Sequence, residues 1–234
     1  MSIQSWFKGI INRQETPNKV DATPSPVVAT VDKDTAYVLP TSSREILPYR
    51  EAYAQAIVFT KSLGYKVESL DLNAIDSIVL DKDGDFQDRA QKAAGISNMN
   101  LSAGQCLKWS RFLSPFYEKA IGKRVVPTVG QIWNGENWIF NPTFKDARRW
   151  HKTGLQQQDF GKTGNGLNLH AWLTVESGEI IDPTILSSMA KALPDKYGQF
   201  LGAIVWGNAE KVLNAHKYVP IIVGCDAIDD IGGQ

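Results

Sequence analysis

The chain has 234 residues, 43% of them hydrophobic and 21% charged, which suits one sizeable domain or a domain with an extension. Its 25 basic residues balance 25 acidic ones, so no bulk electrostatic attraction draws it to nucleic acid or a membrane surface. Two cysteines do not make a disulfide framework and fit a reducing compartment, and no apolar run approaches the ~18 residues of a spanning helix, so stable membrane insertion is not expected.

Residues 2–12 place Ile3, Trp6, Phe7, Ile10 and Ile11 at helical spacing, an amphipathic helix suited to docking on the protein's own surface or on a partner. Only Lys8 and Arg13 give it positive charge, which argues against membrane-surface binding. The N-terminus lacks a signal peptide's uninterrupted apolar core and cleavage site; cytoplasmic folding is expected, with export by a signal-free route left open. Residues 14–34 are polar and carry Pro17, Pro24 and Pro26, as a linker would. Residues 1–41 therefore read as a tail and 42–234 as the folded domain.

Ser42 and Ser43, with Glu45 nearby, offer an N-cap for a helix running to about Lys61 and stopped by Gly64. Residues 65–70 read as extended, 75–80 as apolar but ambiguous between strand and helix, and 86–94 as a short helix ended by Gly95. Asp81-Lys82-Asp83-Gly84-Asp85 imitates the start of a calcium loop, but the positions needing glycine and glutamate hold Phe86 and Lys92. A polar loop then leads to Cys106, which opens a helical run through Leu113. A thiol in a helix's first turn meets the positive end of the macrodipole, and the backbone N–H groups there suit an oxyanion.

Residues 124–133 and 137–140 read as strands around the turn Asn134-Gly135-Glu136. The segment 141–167 is long for a connection and is read as a substrate-covering loop. Within it, Lys145, Arg148, Arg149 and Lys152 read as a solvated basic face, and Gly161-Lys162-Thr163 lacks the earlier glycine of a phosphate loop. Next, Leu169, Ala171, Leu173 and Val175 alternate with His170, Trp172 and Thr174, and 179–182 return as a second strand closed by Pro183. A two-residue loop at Ser177-Gly178 would pair Leu173 with Asp182 and put the aspartate on the face opposite His170. A three-residue loop with Gly178 left-handed pairs Trp172 with Asp182 and brings His170 and Asp182 diagonally together; the glycine favours this register. Residues 186–193 and 209–215 read as helices, 197–206 as buried helix or strand, and 218–224 as a last strand on the same sheet. Cys225, with no histidine near it in sequence, reads as structural, and the histidines and cysteines show no zinc spacing.

A histidine oriented by a carboxylate needs a nucleophile to complete a triad, and Cys106 has the better setting of the two thiols. A cysteine at a helix start, the strand within 121–130, His170-Ala171-Trp172 at a strand start and Asp182-Pro183-Thr184 closing the next resemble the transglutaminase-like branch of the papain-like cysteine enzymes. The resemblance covers about residues 100–186 and departs from the family in two ways. No aromatic adjoins the cysteine, Trp109 being the nearest, and the interval from Cys106 to His170 implies an insertion.

The resemblance implies Cys106 as nucleophile, His170 as general base and acid, and Asp182 as orienting carboxylate, with no metal or cofactor. It also implies a helix on an antiparallel sheet, an α+β fold. Asn100 or Gln105 is a candidate for holding the oxyanion. Trp109 and Trp172 are candidates for the cleft, Trp172 chiefly as packing under the histidine. The expected function is a thiol hydrolase (protease, amidase or deamidase) acting through a thioester on a protein or peptide. Acyl transfer to an amine and a non-catalytic binding module are the alternatives.

Overall fold

A computed structural model describes residues 46–67, 70, 72, 85–160, 166–212 and 216–232. The amphipathic N-terminal segment, the linker, the tail boundary, residues 75–80 and the two loop look-alikes at 81–84 and 161–163 lie outside the described residues. What is described is an α+β structure whose curled antiparallel sheet carries helices.

Helix α1 (Tyr49–Ser62) starts after Pro48, later than Ser42 and Ser43 would place it. Residues 46–47 are not helical, because the residue before a proline is driven from the α region. Residues 65–67 form no strand. Helix α2 (Phe86–Ala93) follows, then a 3-10 turn (Asn100–Ser102), then α3 (Cys106–Ile121), which begins at the cysteine and ends at left-handed Gly122.

The sheet runs β2 (Trp138–Phe140), β1 (Val125–Trp133), β3 (His170–Val175), β4 (Glu179–Asp182) and β5 (Val205–Asn208), with β6 (Lys217–Val223) also paired to β1. Thr128 pairs with Trp172 and Val223, and Ile132 with Phe140 and Tyr218, so β3 and β2 share one edge of β1 while β6 takes the other. The hairpin adopts the register that a three-residue loop requires. Leu173 opposes Ile181, Thr174 opposes Ile180, and Gly178 has φ of 82° with its N–H on the Val175 carbonyl.

That register sorts side chains by parity. Val125, Leu173, Val175 and Ile181 join Phe86, Leu113 and Tyr117 in the apolar core between the sheet and helices α2 and α3. His170, Trp172, Thr174 and Asp182 lie on the opposite face, where Tyr49 of α1 bonds to Trp172 and Thr174. Gly130, opposite His170 on β1, has no room for a side chain: a Cβ there would strike the Val219 carbonyl oxygen and the Trp172 ring.

Residues 141–167 are not a bare loop. Helix α4 (Phe144–Thr153) is set by a capping box in which Thr143 and Asp146 exchange hydrogen bonds. After β4 come α5 (Ile185–Ala192), one turn of α6 (Pro194–Tyr197), β5 and β6, and then α7 (Cys225–Gly232). Residues 209–212, expected as helix, form a turn, and α7 is a helix beyond the last expected strand. No helix among the described residues is long and apolar enough to cross a membrane.

Candidate active site

Asp182 is the last residue of β4 and fully buried, and each of its oxygens has its own duty. Oδ2 accepts from His170 Nε2 at 2.7 Å and from the Tyr218 hydroxyl at 3.0 Å. Oδ1 accepts from the backbone N–H groups of Thr184 and Ile185, both at 3.0 Å, at the start of α5. The carboxylate therefore ends a strand, caps a helix and orients an imidazole at once; capping and orienting are not alternatives here.

His170 is 1% exposed and lies between two rings, Phe140 at 4.9 Å and Trp172 at 6.4 Å, both nearly parallel to it. With Nε2 bound to Asp182, Nδ1 is the nitrogen left for the thiol. Burial alone would depress the imidazole's pKa. The Asp182 charge and hydrogen bond outweigh burial, the Cys106 side chain adds to them, and together they hold the pKa well above its ordinary value.

Cys106 reaches the pair from the other face of the sheet, as the first residue of α3. Its Sγ is 4.0 Å from the carbonyl oxygen of Leu169, the residue before the histidine, and it is 8% exposed. The first helical hydrogen bond of α3 runs from Trp109 N–H to the Gln105 carbonyl at 3.0 Å. The N–H groups of Cys106, Leu107 and Lys108 are thus unused within the helix, as in any first turn, and are available to a developing oxyanion.

The remaining sequence candidates are placed otherwise. Asn100 is exposed on the 3-10 turn with its side-chain oxygen against Gly202. The Gln105 amide nitrogen is held by the Leu101 carbonyl at 3.0 Å, which keeps its donor on the turn. Trp172 is no cleft wall: it is fully buried, and its Nε1 donates to Tyr49 Oη at 2.8 Å. Trp109 turns toward the α2–α3 core and stacks edge-on to Phe112.

The wall of the adjoining groove comes from other residues. A cavity of about 950 Å³ runs from Cys106 along α3, between Phe112 and Phe116 on one side and Phe160, Leu167 and Ile228 on the other. Phe112 and Phe160 are 46% and 48% exposed there. Asp159 anchors the Phe160 side through Arg149 and Trp150. Burial would raise the Asp159 pKa, but those two partners and the Gln156 N–H bring it down to about 2. Cys225 is half-buried at the start of α7, and burial pushes its thiol up in spite of Arg111 nearby.

Phe140 and Tyr218 escaped the sequence reading. Each appears there only as an apolar strand residue, and neither carries a motif tying it to His170 or Asp182. No cluster of three or more His, Cys, Asp or Glu suited to a metal ion occurs among the described residues. No family model matches the chain, and neither a curated protein nor a solved structure matches it.

Proposed function

We propose that the protein is a thiol hydrolase of amide or isopeptide bonds, on the plan of the transglutaminase-like branch of the papain-like enzymes. The observation that carries this reading is the buried imidazole bound to Asp182 on Nε2 and neighboured by Cys106 at a helix start. In this reading the Cys106 thiolate attacks the carbonyl carbon, and the carbonyl's electron pair moves to oxygen beside the N–H groups of the α3 first turn. Collapse of the adduct breaks the C–N bond as the His170 imidazolium gives its proton to the leaving amine. The resulting thioester is attacked by water, from which His170 takes a proton; the C–S bond then breaks, releasing the acid and restoring the thiolate and imidazolium. The groove beginning at Cys106 offers room for an extended, largely apolar acyl portion of a peptide.

The test is the rate of Cys106 alkylation by iodoacetamide against pH in Cys225→Ser protein, with and without His170→Ala. A midpoint well below the free-thiol value of about 8.5 that rises in His170→Ala supports a thiolate–imidazolium pair. A midpoint near or above that value and indifferent to His170 rejects catalysis and favours a binding module. Turnover of peptide amides with and without an added amine then separates hydrolysis from acyl transfer.

A further inference from the structure

The oxygen of Asp182 that faces the imidazole has a second donor. Tyr218 comes from β6, with β1 and β3 lying between it and β4 in the sheet, and its hydroxyl reaches Oδ2 at 3.0 Å. Its ring is buried edge-on against Trp172 at 5.0 Å, beside the ring on which His170 rests. A phenylalanine would fill the same space, so packing does not call for the hydroxyl. Nor does the carboxylate lack partners, since His170, Thr184 and Ile185 already bind it. What the hydroxyl adds is a proton donor on the one oxygen through which Asp182 acts on His170.

We propose that Tyr218 is a positioning residue that tempers the hold of Asp182 on the His170 imidazole. A hydroxyl donating to Oδ2 draws negative charge away from Nε2 and fixes the rotation of the carboxylate. The consequence rests on the hydrolase reading: an imidazolium held too tightly is a poor acid for the leaving amine, so the shared oxygen keeps its proton transferable. The titratable groups around the unit are Cys106 from α3, Asp182 from β4, Tyr218 from β6 and, beyond Trp172, Tyr49 from α1.

The sign of the effect separates tempering from mere scaffolding. In Tyr218→Phe, with Cys225→Ser, the His170 imidazole should titrate higher by a few tenths to about one pH unit. This is read by 15N NMR of labelled histidine, assigned by its loss in His170→Ala. The alkylation midpoint of Cys106 should move down in parallel. Turnover of an amide should fall in kcat with KM unchanged, and that of the matching ester should fall less. 3-Fluorotyrosine in place of Tyr218, a stronger donor of the same shape, should shift both titrations the opposite way and serves if the phenylalanine variant folds poorly. An unmoved His170 titration, or an alkylation midpoint that rises toward that of His170→Ala, overturns the proposal. An ordinary wild-type midpoint indifferent to His170→Ala overturns the hydrolase reading instead, and the His170 titration still decides the role of Tyr218.

Discussion

Leu173 and Val175 point from β3 into the packing against α2 and α3, while His170, Trp172 and Thr174 alternate with them on the opposite face, the last two bonded to Tyr49 of α1. Both faces are equally dry, yet they hold together differently. The apolar face depends on burial, which is non-directional and shared among many contacts. The polar face is a set of directional bonds: Trp172 Nε1 to Tyr49 Oη, Tyr49 to Thr174 at 2.6 Å, Thr174 to Thr128 at 2.7 Å, and beside them His170 and Tyr218 on Asp182. Deleting an atom from the first face leaves a cavity. Deleting one from the second leaves a buried polar group without its partner, and can alter chemistry as well as stability.

The largest effect is expected at Asp182. Asp182→Ala takes the charge partner from His170 and the acceptor from the Thr184 and Ile185 N–H groups, costing about 3–5 kcal/mol. Its pH dependence follows from the raised His170 pKa. The stabilisation is fully present below the unfolded value of about 6.5 and is lost as pH rises through the higher folded value. Urea unfolding should therefore show the gap between wild type and variant widest near neutral and mildly acid pH and narrowing in alkali. A gap that widens with pH would mean that His170 is not held as an imidazolium.

Leu173→Ala tests the other face of the same strand. Leu173 is fully buried in the core, so the change should cost about 2–4 kcal/mol through lost burial and cavity formation. The alkylation midpoint of Cys106 should stay where it is in protein that remains folded. A shifted midpoint would show that the two faces are not separable. Thr174→Val is the smaller polar counterpart, nearly isosteric, leaving the Tyr49 and Thr128 hydroxyls each short of one partner. It should cost about 1–2 kcal/mol by thermal unfolding. The thiol's profile should again be unmoved, because neither hydroxyl touches Asp182.

The apolar face was legible because alternation in 169–175 fixes which residues are buried together, and Gly178 fixes the loop and hence the register that joins His170 to Asp182. The start of α3 at Cys106 was legible for a similar local reason. The partners of the polar face were not, since Tyr49, Thr128 and Tyr218 arrive from α1, β1 and β6, and nothing in their own neighbourhoods announces a bond to the hairpin. Trp172 shows the limit well: its place under the histidine could be read, but its burial could not, since that depends on α1 and β6 covering it. Helix α4 is a different kind of miss. Thr143 and Asp146 spell a capping box, and Phe144, Ala147 and Trp150 follow at helical spacing, but the glycines and charges of 141–167 as a whole suggested a loop.

That capping box gives the smallest of the expected effects and bounds the comparison from outside. Helix α4 belongs to neither face of β3: Phe144 packs on Phe59 of α1 at 4.6 Å, and Arg149 and Trp150 hold Asp159 beside the groove. Thr143→Ala removes the acceptor for the Asp146 N–H and the donor to its carboxylate, at about 1 kcal/mol. Hydrogen exchange should quicken in the first turn of α4 and in 156–160, which hang from it, while β3 and β4 keep their protection. If the alkylation midpoint also moved, α4 would be coupled to His170 and the polar face would extend further than its hydrogen bonds. If it stayed while amide turnover weakened through KM alone, α4 would act on the groove and not on the thiol.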